Sequence, residues 1–135
     1  MALVLDTGIL YAYYDRADSW HQRAIKLLRK EESQLIVPAP VIPEVDHLLG
    51  HRLGPSARMV FYRGISEGHY FVADLKREGY GRVQELNTRY AQLDLGFVDA
   101  AVVAIAEAMQ VRRIATTDRR DFDPLAAELG LELLP

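Results

Sequence analysis

Short apolar runs alternate along the chain with longer segments whose apolar residues recur at helical spacing. Five runs of four or five residues have the length and composition of buried strands. The longer segments carry apolar side chains three or four positions apart, with charged residues between them, as amphipathic helices do. The predicted strands cover residues 2–5, 34–37, 70–73, 112–116 and 131–134, and the predicted helices cover 19–30, 39–51, 55–67, 76–92 and 97–109.

This alternation predicts an α/β fold: a compact three-layer sandwich with a mainly parallel central sheet flanked by helices. A length of 135 residues is typical of a single domain, taken here as residues 1–135, with one core. In open parallel sheets, ligands bind beyond the carboxyl ends of the strands. Candidate functional residues are therefore expected directly after strands or at the starts of helices.

One predicted helix differs from the others because it is apolar on almost every side. The segment FVDAAVVAIAEAM, residues 97–109, is rich in alanine and valine and carries an aspartate, Asp99, near its start. A helix of this kind is buried against other elements. A carboxyl group on such a helix is a stronger functional candidate than one on an exposed helix.

Composition excludes some classes of protein. No cysteine is present, so disulfides and thiolate zinc sites are excluded. No apolar stretch approaches the roughly 20 residues of a membrane span, and no leader pattern opens the chain, so a cytoplasmic protein without a membrane partner is expected. A net charge of -3 argues mildly against nucleic-acid binding. If four acidic residues bind metal ions, however, 16 basic residues face 15 free acidic ones.

The stretch LVLDTGIL, residues 3–10, has the Asp-Thr-Gly motif of a retroviral-type aspartic protease. Such a protease is almost entirely built of β-strands and has glycine-rich flaps. At least four segments of this chain have strong helical spacing, and no second glycine-rich motif lies near the end. The pattern therefore disfavours a protease dyad at Asp6.

Four acidic residues follow strands or begin helices, and a parallel sheet would carry them to the same edge. Each one alone is explained as a turn residue, a helix cap or a dipole partner. Together, in partial burial, they would repel each other unless divalent cations were bound between them. Oxygen-only ligation suits Mg²⁺ or Mn²⁺, which can activate water for attack on phosphorus. The four residues are Asp6, Glu44, Asp99 and Asp118.

Two further groups of residues leave alternatives open. His47 and His51 have the spacing of a zinc-protease helix but lack its glutamate, so a surface pair or a subunit contact is the favoured interpretation. Arg119 and Arg120 directly follow Asp118. They are either substrate-binding contacts to phosphate or part of a solvated charged turn.

Four blocks, LVLDTGIL, VPAPVIPEVDHLL, LGFVDAAVVAIAEAMQVRRIATTDRRDF and LELLP, together resemble the motifs of the PIN domain, as found in VapC toxins. The resemblance runs the length of the chain, and the third block is its most specific part. It implies that the four acidic residues are the catalytic metal ligands, for Mg²⁺ or Mn²⁺. It also implies supporting roles behind the ligands for Thr7 and Thr116, whereas Asp94 is either such a group or a helix dipole partner, and Asp121 is expected to cap a turn ending at Pro124.

The resemblance further implies a metal-dependent endoribonuclease with an acidic two-metal site, acting as the toxin of a type II toxin–antitoxin pair. A homodimer, an RNA substrate and a small cognate antitoxin are the implied partners. A non-catalytic PIN-type module that binds RNA or a protein is the alternative, and DNA cleavage by the same site also stays open. The chain departs from the family pattern at Gly8, where serine or asparagine is more usual, so one polar contact is in doubt.

Overall fold

A five-stranded parallel sheet forms the centre of the computed structural model, which describes residues 2–31 and 34–135. The strand order across the sheet is β3-β2-β1-β4-β5, and every neighbouring pair is parallel. The strands are β1 (Leu3–Leu5), β2 (Leu35–Pro38), β3 (Phe71–Ala73), β4 (Arg113–Ala115) and β5 (Glu132–Leu134). The helices are α1 (Thr7–Tyr14), α2 (His21–Lys30), α3 (Ile42–Arg52), α4 (Pro55–Ser66), α5 (Arg77–Arg89), α6 (Gly96–Ala108) and α7 (Arg119–Leu129).

The order of the strands determines which helices cover which face. The chain moves from β1 outward to β2 and β3, then returns past β1 to β4 and continues outward to β5. Because crossovers between parallel strands are right-handed, the two directions place α1–α4 on one face and α5–α7 on the other. In agreement, α1 packs on α2 and α3, α3 packs on α4, and α5 packs on α6. The predicted three-layer α/β sandwich is confirmed.

Apolar strands and one apolar helix make the core. All three residues of β1 and the four of β2 are buried, which explains why these strands are apolar without alternation. Helix α6 buries every residue from Ala100 to Ala106 and contacts both β1 and β2. Small alanine side chains let this helix lie close to the sheet, and its first turn therefore stands at a defined place above the sheet edge.

Two helices, α1 and α7, were not among the predicted elements. Helix α1 directly continues the apolar run of β1 and buries Ile9 to Ala12, so it lacks the polar face that reveals a helix. Helix α7 contains Pro124, which predicted the end of a turn. That prediction was wrong, because the helix runs on to Leu129 and ends at Gly130, whose φ of 70° is favourable only for glycine. No helix in the described ranges is both long and apolar enough to cross a membrane.

Candidate metal centre

The two central strands, β1 and β4, end side by side where the direction of the chain across the sheet reverses. Such a reversal opens a crevice at the carboxyl ends of the strands. Asp6 is the first residue after β1, and its backbone N–H donates to the carbonyl of Ala115, 2.9 Å away at the end of β4. The side chain of Asp6 is therefore held at the floor of the crevice, where it is only 5% exposed.

A buried threonine joins Asp6 to the loop after β4. The Thr116 hydroxyl donates to Oδ2 of Asp6 at 2.9 Å. The same hydroxyl accepts a 2.9 Å hydrogen bond from the backbone N–H of Asp118. One fully buried side chain thus orients the carboxylate directly after β1 and the backbone of a second acidic residue.

Glu44 reaches the crevice from the first turn of α3, beyond β2. Its carboxylate Oε1 accepts a 2.6 Å hydrogen bond from the Thr7 hydroxyl, at the start of α1. Glu44 is exposed, whereas Asp6 is buried, so the crevice runs from a dry floor to a wet rim. Thr7 and Thr116, the two threonines expected to support the ligands, therefore each donate to an acidic side chain.

Three aspartates lie close together near Asp6, whose charge acts on Asp99. One carboxylate oxygen from each of Asp99, Asp118 and Asp121 can be chosen so that all three lie within 4.8 Å of one another. Asp99 comes from the first turn of α6, and Asp118 is the N-cap of α7, where its Oδ1 accepts from the backbone N–H of Asp121 at 3.1 Å. The cap fixes the direction of the Asp118 carboxylate. All three side chains are partly buried.

Burial and crowding raise the pKa values of these carboxyl groups. Removal from water raises the pKa of Asp6 to about 6, aided by the charges of Asp118 and Glu44 and opposed by hydrogen bonds from Thr7 and Thr116. Burial, together with the charges of the surrounding carboxylates, raises the pKa of Asp99 to about 7. The pKa of Asp121 is also raised, first by burial and then by Asp118. Ionisation of these carboxyl groups therefore costs electrostatic free energy. A bound cation would offset that cost.

Asp121 was assigned to a cap, but the structure brings its carboxylate into the acidic group. It occupies the first turn of α7, one turn after Asp118, and that helix was missed in the sequence. Asp94 instead is exposed, in a left-handed conformation with φ of 50°, and lies near enough to Asp121 to raise the pKa of that residue. If a helix had been predicted to begin at Arg119, Asp121 would have been expected in its first turn, beside the N-cap Asp118.

The two arginines after Asp118 differ in their surroundings. Arg119 donates from Nη2 to the carbonyl of Pro135 at 2.5 Å and approaches that of Leu133 at 3.5 Å, and its Nη1 lies 3.7 Å from Asp123. Its guanidinium therefore ties α7 to β5. Arg120 is exposed, and its charge lowers the pKa of Asp121. This arrangement favours Arg120 over Arg119 as a contact to substrate.

The histidine pair does not belong to the group of three potential metal ligands found among the described residues. His47 and His51 are exposed on α3 and stack with ring centroids 5.6 Å apart. Among residues 2–31 and 34–135, one group of three potential metal ligands is found, and it is the group of aspartates at the crevice. Their exposure fits either a surface pair or a subunit contact.

The donors at the crevice fit a hard divalent cation. They are carboxylate oxygens supported by threonine hydroxyls, with no thiolate or imidazole in the cluster of three. Such a set prefers Mg²⁺ or Mn²⁺ to softer metals. The raised pKa values of Asp6 and Asp99 mark uncompensated negative charge, which is the electrostatic condition for binding a cation.

Comparisons with known proteins agree with this fold. The family profile described as PIN domain matches residues 3–128. Ribonuclease VapC26 of Mycobacterium tuberculosis is 29% identical over 123 residues, which are 91% of each chain. The crystal structure of M. tuberculosis VapC20, a sarcin–ricin loop cleaving toxin, superposes with a TM-score of 0.83 at 20% identity, covering 92% of this chain and 95% of that one. A DNA-bound VapBC of Salmonella typhimurium superposes with a TM-score of 0.74 at 13% identity, covering 98% and 96%.

Proposed function

The chain belongs to the PIN domain family, and from this premise we propose that it is a metal-dependent endoribonuclease, the toxin of a type II toxin–antitoxin pair. The proposed reaction is hydrolysis of RNA phosphodiester bonds at an acidic two-metal site that takes Mg²⁺ or Mn²⁺. The similarity to a named VapC ribonuclease, over nine-tenths of both chains, supports the substrate class.

One observation carries the proposal: carboxylates from β1, α3, α6 and the β4–α7 junction converge on one crevice. Asp6, Glu44, Asp99 and Asp118 are the proposed ligands, and Asp121 joins them because its carboxylate lies in the same group. A protein that used these residues only as caps or turn formers would have no reason to bury Asp6 and crowd Asp99. The cost in electrostatic free energy is explained if a cation balances the charge.

The residues of the chain have separate tasks in the proposed reaction. Thr116 and Thr7 hold the carboxylates of Asp6 and Glu44 in place, so the ligand oxygens need not reorganise during turnover. Arg120, exposed next to the acidic group, is the proposed contact to a phosphate of the RNA. A bound divalent cation supplies charge against the phosphate and lowers the pKa of a water molecule.

We also propose a homodimer and an inhibitory antitoxin as partners. Support for the antitoxin comes from similar structures that are complexes of this kind. One is a toxin–antitoxin complex from Klebsiella pneumoniae, with a TM-score of 0.69 at 19% identity over 90% of both chains. The acidic crevice would attract a basic side chain of a small antitoxin by charge complementarity. Co-expression with the product of a small neighbouring reading frame, followed by purification of a complex, tests the antitoxin. Sedimentation of the isolated chain tests the dimer.

The decisive test of the activity is cleavage of total RNA by purified protein with and without Mn²⁺. We expect site-specific fragments with wild type and Mn²⁺, and a loss of cleavage on chelation. Asp6→Asn and Asp99→Asn should each abolish cleavage, whereas Asp74→Asn, an exposed aspartate after β3, should cleave as wild type does. Equal cleavage by wild type and the Asp6→Asn, Asp99→Asn double variant would refute the site.

A binding module that does not cleave is the rival from another class, and DNA cleavage is the rival substrate. Binding without cleavage predicts RNA retention that the acidic variants do not change. The same assay on single-stranded DNA of matched sequence separates the substrates, because only RNA has 2′-hydroxyls. We expect cleavage of RNA alone.

A further inference from the structure

A second threonine, Thr117, follows Thr116 in the loop after β4. A Cβ added at Gly8, in the first turn of α1, would lie 2.2 Å from the Thr117 Oγ1 atom. The same Cβ would lie 3.8 Å from the Thr117 methyl carbon, Cγ2. It is therefore the hydroxyl, and not the methyl, that faces α1 across the boundary between β1 and β4. At position 8, glycine leaves room for the Thr117 hydroxyl, because any other residue would carry a Cβ atom there.

The Thr117 hydroxyl is held next to the acidic residues but is not used by the fold. It stands between Thr116, which bonds to Asp6, and Asp118, and the backbone on both sides is tied by 2.9 Å hydrogen bonds from Thr116 N–H to Leu134 and from Asp118 N–H to the Thr116 hydroxyl. None of the side-chain hydrogen bonds among the described residues includes Oγ1 of Thr117, whereas the neighbouring Thr116 hydroxyl makes two. Thr117 is partly exposed, so solvent or a ligand can reach it.

We propose that Thr117 contacts the substrate: its hydroxyl, admitted by Gly8, donates a hydrogen bond to a non-bridging oxygen of the scissile phosphodiester. This inference rests on the proposed ribonuclease function. A donor held by a tied backbone beside the reacting group needs no reorganisation, which is the condition under which such a bond assists a reaction. Gly8 is then a functional residue, because it provides the space that the hydroxyl occupies.

The first test removes the hydroxyl and keeps the shape. Thr117→Val should lower kcat/KM by roughly 10- to 100-fold, the effect of one lost hydrogen bond to a charged group. Thr117→Ser restores the hydroxyl and should recover most of that loss. Thr88→Val is the matched control, because Thr88 is exposed on α5 and donates within its own helix to Gln84 at 3.0 Å. The substrate is a synthetic RNA that carries a cleavage site mapped in total RNA.

The second test displaces the hydroxyl without removing it. In Gly8→Ala, the new methyl group must push the Thr117 side chain aside, and the variant should lose activity as Thr117→Val does. Its melting temperature should change little, because the better helix propensity of alanine offsets the cost of displacing one partly exposed side chain. In the double variant with Gly8→Ser and Thr117→Ala, a serine hydroxyl occupies the vacated space, and we expect activity to recover above that of either Gly8→Ala or Thr117→Val.

A third arm asks whether the contact is to phosphate. When sulfur replaces one non-bridging oxygen of the scissile phosphate, the hydrogen bond is weakened, so sulfur should slow wild type more than Thr117→Val in Mn²⁺. If sulfur slows wild type and Thr117→Val equally, the Thr117 assignment alone is overturned. The same holds if Thr117→Val has the kcat/KM of wild type while Asp99→Asn is inactive. Loss in both Thr117→Val and Thr117→Ser together with a lower melting temperature assigns Thr117 to packing. If wild type itself fails to cleave RNA, the proposed function fails and this assignment with it.

Discussion

Thr116 and Asp6 lie 110 positions apart in sequence, yet the buried Thr116 hydroxyl donates to the Asp6 carboxylate at 2.9 Å. The bond joins the ends of the two central strands at the one place where strand order reverses. Because the same hydroxyl accepts from the Asp118 N–H, it couples two proposed ligands through a single atom. The precision of the site thus depends on a neutral side chain.

Replacement of this threonine by valine should damage the site more than the fold. Thr116→Val keeps the shape but removes both hydrogen bonds, and we expect Mn²⁺ affinity to fall roughly 10- to 100-fold, the usual effect of losing a group that orients a metal ligand. Titration calorimetry measures the affinity. Thr88→Val should bind as wild type does, and unchanged affinity in Thr116→Val would show that Asp6 needs no support.

Asp121 and Asp94 should separate clearly, although both flank the acidic group. Asp121 offers a carboxylate oxygen to the cluster, whereas Asp94 is exposed. We expect Asp121→Asn to weaken Mn²⁺ binding and to raise the melting temperature of the metal-free protein, since a repulsive charge near Asp99 is removed. Asp94→Asn should change both quantities much less. Equal effects of the two substitutions would contradict a ligand role for Asp121.

The metal-free protein should become less stable as pH rises. The pKa of Asp99 is raised to about 7 and that of Asp6 to about 6, from an ordinary 3.8. Between the ordinary value of 3.8 and these raised values, the folded protein keeps protons that the unfolded chain has released. The free energy of unfolding therefore falls as pH rises through this window. We expect a lower melting temperature at about pH 8 than at about pH 5, and a flatter dependence in Asp99→Asn.

Added Mn²⁺ should reverse the trend, because metal ions and protons compete for the same oxygens. The rise in melting temperature on adding Mn²⁺ should be larger at about pH 8 than at about pH 5. Asp74→Asn, in which the exposed aspartate after β3 is changed, serves as control and should show the wild-type dependence. A melting temperature of the metal-free protein that climbs with pH would contradict the raised pKa values.

Arg119 and Arg120 form a matched pair for testing structural against substrate contacts. Arg119→Gln removes the hydrogen bonds to the carbonyls of Leu133 in β5 and Pro135 after it, and should lower the melting temperature. Arg120→Gln should leave the melting temperature unchanged, raise KM for RNA and weaken the dependence of binding on salt, as the loss of one phosphate contact does. The reverse result would assign the substrate contact to Arg119.

The fold was predictable from the sequence because its core elements are unambiguous. The apolar runs of β1 and β2 and the apolar helix α6 correspond to buried segments, and the alternation of elements predicted a parallel sheet. Helix α1 was missed because its neighbours cover it and no polar face marks it. The order of the strands required tertiary contacts that no local pattern reveals.

The site was predictable only in part. A carboxylate after a strand can be anticipated, since parallel strands end at one edge, and Asp6 and Asp118 do lie at that edge after β1 and β4. Asp121 was not anticipated, because Pro124 suggested a turn where α7 continues. The separation of Arg119 from Arg120 and the contact between Thr117 and Gly8 depend on side-chain directions, which adjacent letters in a sequence do not report.

If the convergent carboxylates bind a hard divalent cation, calorimetric titration with Mn²⁺ should detect that binding. We expect saturable binding to the wild-type protein that is lost in Asp6→Asn and in Asp99→Asn and kept in Asp74→Asn. Mn²⁺ binding of equal strength in wild type, Asp6→Asn and Asp99→Asn, or none in the wild-type protein, would contradict it.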